Sequence, residues 1–336
     1  MKFDKFIGNR RIIERLRAKL RVQRFPHGLI FSGPQGVGKH TCALMIAKAL
    51  NCLTAAPGEF CDECAACRKV GAGTHPDVLT VSVEDEATQI KIAQIRQLLS
   101  ILDLQPLEGR NKVFIIDPAD LLNPEAANAL LKGLEEPPEN TFFILITVNV
   151  HELLRTVRSR CQTYNFTPLT TDEVREHGIS DELTVRWSQG SIGRARSLDL
   201  TQLKNERSVV LEFLETVVNA REEDFQDLLG VSADMGRAKQ EFESRMDILA
   251  ILIADLLYAK EGARERVVNV DILDRLAKLA GRVEVERLIK MAEFLRFIES
   301  SLKIHVNRQM LTDVLALTGN ATSSSWGETT GSTKST

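Results

Sequence analysis

Gly33 to Lys39 reads GPQGVGK and has the residue types to hold phosphate. Glycines let consecutive backbone N–H groups turn inward and cradle phosphate oxygens. Gly33, Gly36 and Gly38 are the residues placed to do so, and Lys39 would reach the β and γ phosphates. A helix starting there would aim its positive end at the same anion. In the pattern Gly-x-x-x-x-Gly-Lys-[Ser/Thr], the last residue puts a hydroxyl on magnesium. Here His40 occupies that position, and the hydroxyl comes one residue late, at Thr41. Imidazole cannot copy a hydroxyl at a hard cation that prefers oxygen. Two readings stand: a nucleotide site that tolerates His40, and a descendant loop that keeps its shape but binds nucleotide weakly or not at all. The residues favour a site impaired in catalysis.

A second element supports that balance. KVFIID, ending at Asp117, is an apolar run closed by a carboxylate, the arrangement that helps to hold magnesium beside a phosphate loop. A hydrolysing site would follow it with a group that polarises water. Pro118 stands there instead and has no acid–base capacity, while Asp120 lies three residues on.

The third chemical element is metal ligation. Cys52, Cys61, Cys64 and Cys67 have the spacing C-x8-C-x2-C-x2-C. Four thiolates suit tetrahedral zinc, and a filled set leaves no position for water or substrate, so the ion would be structural. Unligated thiols and an iron–sulfur cluster are the weaker readings. Cys42 and Cys161 stand alone. A cluster of this kind, in a chain whose first residues (MKFDKF) lack an apolar signal core, reads as metal binding rather than disulfides.

The elements that must position these residues alternate in the first half of the chain. Buried strands are expected at Gly28–Ser32, Val78–Val83, Val113–Ile116 and Phe142–Thr147. Helices are expected at His40–Leu53, Ile90–Leu102 and Pro124–Leu134, with a short helix opening at Cys67. Repeated β-α units imply an α/β fold: a mostly parallel sheet with helices on both faces and the cysteine module inserted. Residues 1–166 form this domain, with the module at 52–67. A small helical lid follows at 167–201, then an all-helical domain at 202–318 that includes amphipathic stretches such as Val283–Ile304. Residues 319–336 are rich in Ser, Thr and Gly and are expected to be disordered.

Charge bounds the function. The net charge is -3, from 43 basic and 46 acidic side chains, which argues against a dedicated nucleic-acid binder. A local basic face remains in the first 24 residues, where nine Lys or Arg face Asp4 and Glu14. No run approaches the length of a membrane helix. A cytoplasmic location without membrane contact is expected.

Together these elements resemble the bacterial clamp-loader proteins of the AAA+ class, the delta-prime and gamma/tau subunits of DNA polymerase III. The likeness covers roughly residues 1–200. HPDV at His75–Val78, IKIAQIRQL at Ile90–Leu98 and AANALLKGLEEPP at Ala126–Pro138 look like family segments. Ser159, Arg160 and Cys161 match the family's SRC motif. The resemblance implies that Arg160 is an arginine finger, projecting into a neighbouring subunit's ATP site. It also implies that Thr147 holds the sensor 1 position and Arg194, in GSIGR, the sensor 2 position. ATP and magnesium are the family's cofactors beside zinc; His40 and Pro118 count against both here. The same departures, and the chain length, fit delta-prime better than gamma/tau. The implied role is a largely non-catalytic scaffold in a hetero-pentamer with gamma/tau and delta, part of the polymerase holoenzyme. That complex would act on a sliding clamp and primed DNA, with the last domain as the collar of the assembly. The alternatives are an active gamma/tau-like ATPase and, more weakly, a zinc-dependent DNA-binding module.

Overall fold

The computed structural model describes residues 2–84, 87–220, 224–235, 239–301 and 307–320. The chain forms two compact units. The first runs up to Asp181 and takes in Ser188–Ser197; the second holds Glu182–Trp187 and the chain from Leu198 onward.

The first unit is built on a five-stranded parallel sheet. Its strands are β1 (Gly28–Ser32), β2 (Val78–Val81), β3 (Lys112–Ile116), β4 (Thr141–Thr147) and β5 (Gln162–Asn165). Their order is β2-β3-β4-β1-β5. Every residue of β1 and β3 is buried, as strands covered on both faces must be. Helix α1 (Arg10–Arg21) precedes the strands, and helices α2 (Lys39–Asn51), α3 (Ala65–Gly71), α4 (Ile92–Ser100), α5 (Pro124–Glu135) and α6 (Arg155–Arg158) connect them. The expected α/β architecture is thus present. Strand register decides which residues share an edge of the sheet. Ser32 pairs with Thr147 and with Asn165, and Ile116 with Leu145. The ends of β1, β3 and β4 therefore deliver Gly33, Asp117 and Thr147 to one edge, the edge where open parallel sheets bind ligands.

Local chemistry sets the element ends. Asn123 accepts from the Ala126 N–H at 2.8 Å, and Pro124 needs no partner in the first turn, so α5 begins there. Several expected boundaries shift by one or two residues, and three have a visible cause. The strand from Val78 stops at Val81 rather than Val83, and the Ser82 carbonyl accepts from the Gln94 side chain at 2.8 Å. Ile90 is drawn into a bridge with Leu122, so α4 starts at Ile92. Helix α3 begins at Ala65, not Cys67, because the Cys64 sulfur caps it by accepting from the Cys67 N–H.

The segment between α4 and β3 has no regular structure, yet buried side chains fix it. The Asp77 carboxylate accepts from the N–H groups of Leu107, Glu108 and Gly109 at 2.7–2.8 Å. Asn51 Oδ1 accepts from Arg110 and Asn111. The Lys112 ammonium donates to the carbonyls of Ile101, Leu102 and Leu104.

The first unit also carries α7 (Thr171–Glu176), opened by a Thr170–Glu173 capping box, and α9 (Ile192–Ser197). The second unit contains α8 (Glu182–Trp187), α10 (Leu200–Asn219), α11 (Phe225–Met235), α12 (Lys239–Lys260), α13 (Leu273–Ala280), α14 (Val285–Ser301) and α15 (Arg308–Asn320). Phe213, Phe242, Leu252 and Leu288 lie in its core. Asn269 ties it together, accepting from Trp187 Nε1 at 3.1 Å and from Arg207 at 2.8 Å. Buried Asp255 accepts from the Val268 and Asn269 N–H groups. The helix expected over Val283–Ile304 appears as α14, and its residues beyond Ser301 lie outside the described residues. The tail expected to be disordered lies outside them from residue 321. Among the described residues, no helix is long and apolar enough to cross a membrane.

Asp77 gives a measurable test of this framework. Burial opposes its ionisation, but the N–H groups of Gly109, Glu108 and Leu107 outweigh burial and hold it below the usual carboxylate range. Its stabilisation is full above the unfolded value of about 4 and is lost as pH falls through the lower folded value. Asp77→Ala should cost about 2–4 kcal/mol at neutral pH in urea unfolding, and the gap to the unaltered chain should close on acidification.

Candidate functional site

The phosphate loop runs from the end of β1 into α2. Gly33, Gly36 and Gly38 have φ of 140°, 76° and 95°, a region that side chains disfavour. Neighbours also need the missing side chains. A Cβ at Gly33 would lie 2.2 Å from the Phe166 carbonyl oxygen. At Gly36 it would meet Ser191 Oγ at 2.1 Å, and at Gly38 the Phe6 ring at 2.8 Å. The Gly193 N–H donates to the Gly36 carbonyl at 3.2 Å, so the segment carrying α9 rests on the loop.

Lys39 is buried, and its ammonium donates to the carbonyls of Gly33 and Pro34, both at 2.6 Å. Burial lowers its pKa, while the carboxylates of Asp117 and Asp120 pull it back up. His40 Nδ1 lies 2.8 Å from Asp117 Oδ2, within hydrogen-bond reach. Thr41 is exposed. Asp120 accepts from the Val148 N–H at 3.3 Å.

The donor set does not fit magnesium well. The helix position that should supply a hydroxyl carries a ring nitrogen instead. That ring engages the one carboxylate at the end of β3. Thr41 sits about 100° further round the helix and cannot stand in for it.

Thr147 and Arg194 have local partners. Thr147 is buried, and its hydroxyl donates to the Asn149 carbonyl and accepts from the Asn149 N–H. The Arg194 N–H donates to Ser191 Oγ, and its guanidinium lies 3.4 Å from Gln189 Oε1.

The cysteines come together as the spacing requires. Their four sulfurs lie within 4.8 Å of one another, with Cys52–Cys61 at 3.7 Å and Cys61–Cys67 at 4.0 Å. A zinc–sulfur bond of about 2.3 Å gives a tetrahedron edge of about 3.8 Å, so the set fits. Backbone N–H groups of Glu63 and Cys64 donate to the Cys61 sulfur. The Thr54 hydroxyl and those N–H groups pull the Cys61 thiol down to about 5, while burial pushes Cys67 up. The module is compatible with a structural zinc. It is also tied to its surroundings: Glu59 pairs with Arg17 and Arg21 of α1, and Phe60 meets Phe3 edge-on at 5.2 Å.

Arg160 lies just after α6. Its guanidinium pairs with Glu135 at 2.6 Å and donates to the Thr156 carbonyl at 2.8 Å. Ser159 Oγ accepts from it at 3.2 Å and donates to the same carbonyl. Cys161 is a packing residue: its sulfur would lie 2.9 Å from a Cβ at Gly28, and burial pushes its thiol up to about 12. Sequence reasoning missed Phe6, Glu135, Ser191 and Gly193. The first lies far from the loop in the chain, and the last two rest on it through backbone and hydroxyl. Glu135 lies within the LEEPP segment and Ser191 and Gly193 within GSIGR, so three of the four fell in segments already singled out.

Two family models match, described as DNA polymerase III, delta subunit, over residues 8–170, and its C terminal part over 202–318. The delta' subunit of DNA polymerase III from Bacillus subtilis is 28% identical over 316 residues, covering 91% of this chain and 94% of that protein. Subunit tau of the same organism is 37% identical over 193 residues, covering 57% of this chain. The chain spans only 34% of that tau subunit's length. A crystal structure of a gamma subunit-related protein from Thermotoga maritima has a TM-score of 0.44 at 19% identity, covering 91% of this chain and 98% of that one.

Gly33→Ala tests the loop. It should lower stability by at least about 1–3 kcal/mol from backbone strain alone, read as a fall in the thermal midpoint. A larger loss is expected from the Phe166 clash.

Proposed function

The chain belongs to the DNA polymerase III delta-subunit family, is delta-prime-like, and on that premise we propose that it serves the clamp loader as a scaffold that does not turn over ATP itself. The carrying observation is the 2.8 Å contact between His40 and Asp117, which engages the carboxylate a metal would need. Pro118, in the place of a water-polarising acid, supports the same reading.

The chemistry this chain supplies is then Arg160. A fixed guanidinium entering a neighbouring subunit's ATP site stabilises charge developing on the γ-phosphate. Glu135, Thr156 and Ser159 brace that side chain in the free chain. The partners are gamma/tau and delta subunits in a hetero-pentamer, and through that complex a sliding clamp and primed DNA. Residues 167–201 act as the lid of the nucleotide-binding domain and 202–318 as the collar. Cys52, Cys61, Cys64 and Cys67 hold a structural zinc.

The second reading is an active gamma/tau-like ATPase, favoured by the intact glycines and Lys39. Turnover by the isolated chain separates the two. The scaffold reading expects no magnesium-dependent ATP hydrolysis above background; clear hydrolysis abolished by Lys39→Ala would sink it. In the reassembled complex, Arg160→Ala should leave assembly intact and cut ATPase activity several-fold, since a finger accelerates its own site by about 10³-fold or more. Metal analysis should find about one zinc per chain, and Cys64→Ser should lose that metal and lower the thermal midpoint.

A further inference from the structure

We propose that the phosphate loop is a divalent-cation-free site for a nucleoside diphosphate, with His40 and Asp117 forming the pair that replaces magnesium. This deepens the scaffold reading and rests on it.

The cradle itself is complete. Three glycines hold left-handed conformations, and α2 presents its N-terminal end. An ammonium has three donors, and Lys39 uses two on the carbonyls of Gly33 and Pro34, which leaves one for a phosphate oxygen. The residue that takes the hydroxyl position, His40, meets the carboxylate that would hold the metal, Asp117. With His40 Nδ1 donating to Asp117 Oδ2, both are satisfied without an ion. A magnesium ion would have to break that 2.8 Å contact and then accept a nitrogen in place of an oxygen ligand.

Charge then selects the ligand. Lys39 and the helix end, worth about half a positive charge, are the fixed attractions, and Asp117 and Asp120 oppose them. A triphosphate brings an additional phosphate charge, which magnesium ordinarily neutralises. Without the ion that charge faces two carboxylates, so the diphosphate is favoured.

The test uses the full, zinc-loaded chain with a fluorescent ADP analogue and its ATP counterpart, each titrated in magnesium-free buffer without chelator and in excess magnesium. ADP affinity should agree within about twofold between the two buffers, and ATP should bind about tenfold more weakly than ADP without magnesium. His40→Thr, by restoring the hydroxyl and freeing Asp117, should make binding at least about tenfold tighter with magnesium than without. Asp117→Asn provides a second variant should His40→Thr fold poorly, and its ADP affinity should stay insensitive to magnesium. Magnesium-dependent ADP binding by the unaltered chain overturns the proposal. So does no binding in either buffer, or ATP binding more tightly than ADP without magnesium. ATP turnover would instead defeat the scaffold reading, whereas magnesium-dependent binding without turnover defeats only this proposal.

Discussion

A divalent cation beside a phosphate loop needs an oxygen from the start of the helix and a carboxylate from the neighbouring strand. His40 removes the first and engages the second, since its ring lies 2.8 Å from Asp117. Nothing else about the loop is lost. The glycine conformations, the buried lysine and the parallel register that gathers them all remain. His40, with Pro118 in the place of a water-polarising acid, therefore sets this loop apart from a metal-using one. This is the constraint under which the remaining features of the first unit make sense.

That unit is integrated around the loop by contacts distant in sequence. Phe6 lies against Gly38, and Phe3 lies edge-on to Phe60 of the cysteine module. The same short N-terminal segment thus touches both the phosphate loop and the metal module. Glu59 adds two ion pairs from that module to α1. The Phe3–Phe60 contact adds aromatic packing to those ion pairs. From the other side, Gly193 and Ser191 close on Gly36. The loop is thus held from several directions by residues distant in sequence.

How much of the fold and the site is legible in the sequence depends on range along the chain. The strand–loop–helix around Gly33–Lys39 and the close cysteine pairs are local patterns, and both appear where the spacing places them. The parallel sheet follows from the repeated alternation of apolar runs. Boundaries move where a tertiary or side-chain contact overrides periodicity: Ile90 leaves the helical stripe to bridge Leu122, and the Cys64 sulfur starts α3 two residues early. Contacts such as Glu135 with Arg160 and His40 with Asp117 are invisible, because a single sequence carries no record of which distant residues meet. The Asp77 hydrogen bonds that order the segment before β3 are hidden for the same reason.

The proposed division of labour places the working group of this chain outside its own nucleotide loop. A structure of the assembled clamp loader with a non-hydrolysable ATP analogue tests that most directly. The Arg160 guanidinium should have left Glu135 and should lie about 3 Å from the γ-phosphate held by the adjacent subunit. Finding Arg160 still paired with Glu135, with a metal–nucleotide complex instead bound between Lys39 and Asp117 of this chain, would contradict it.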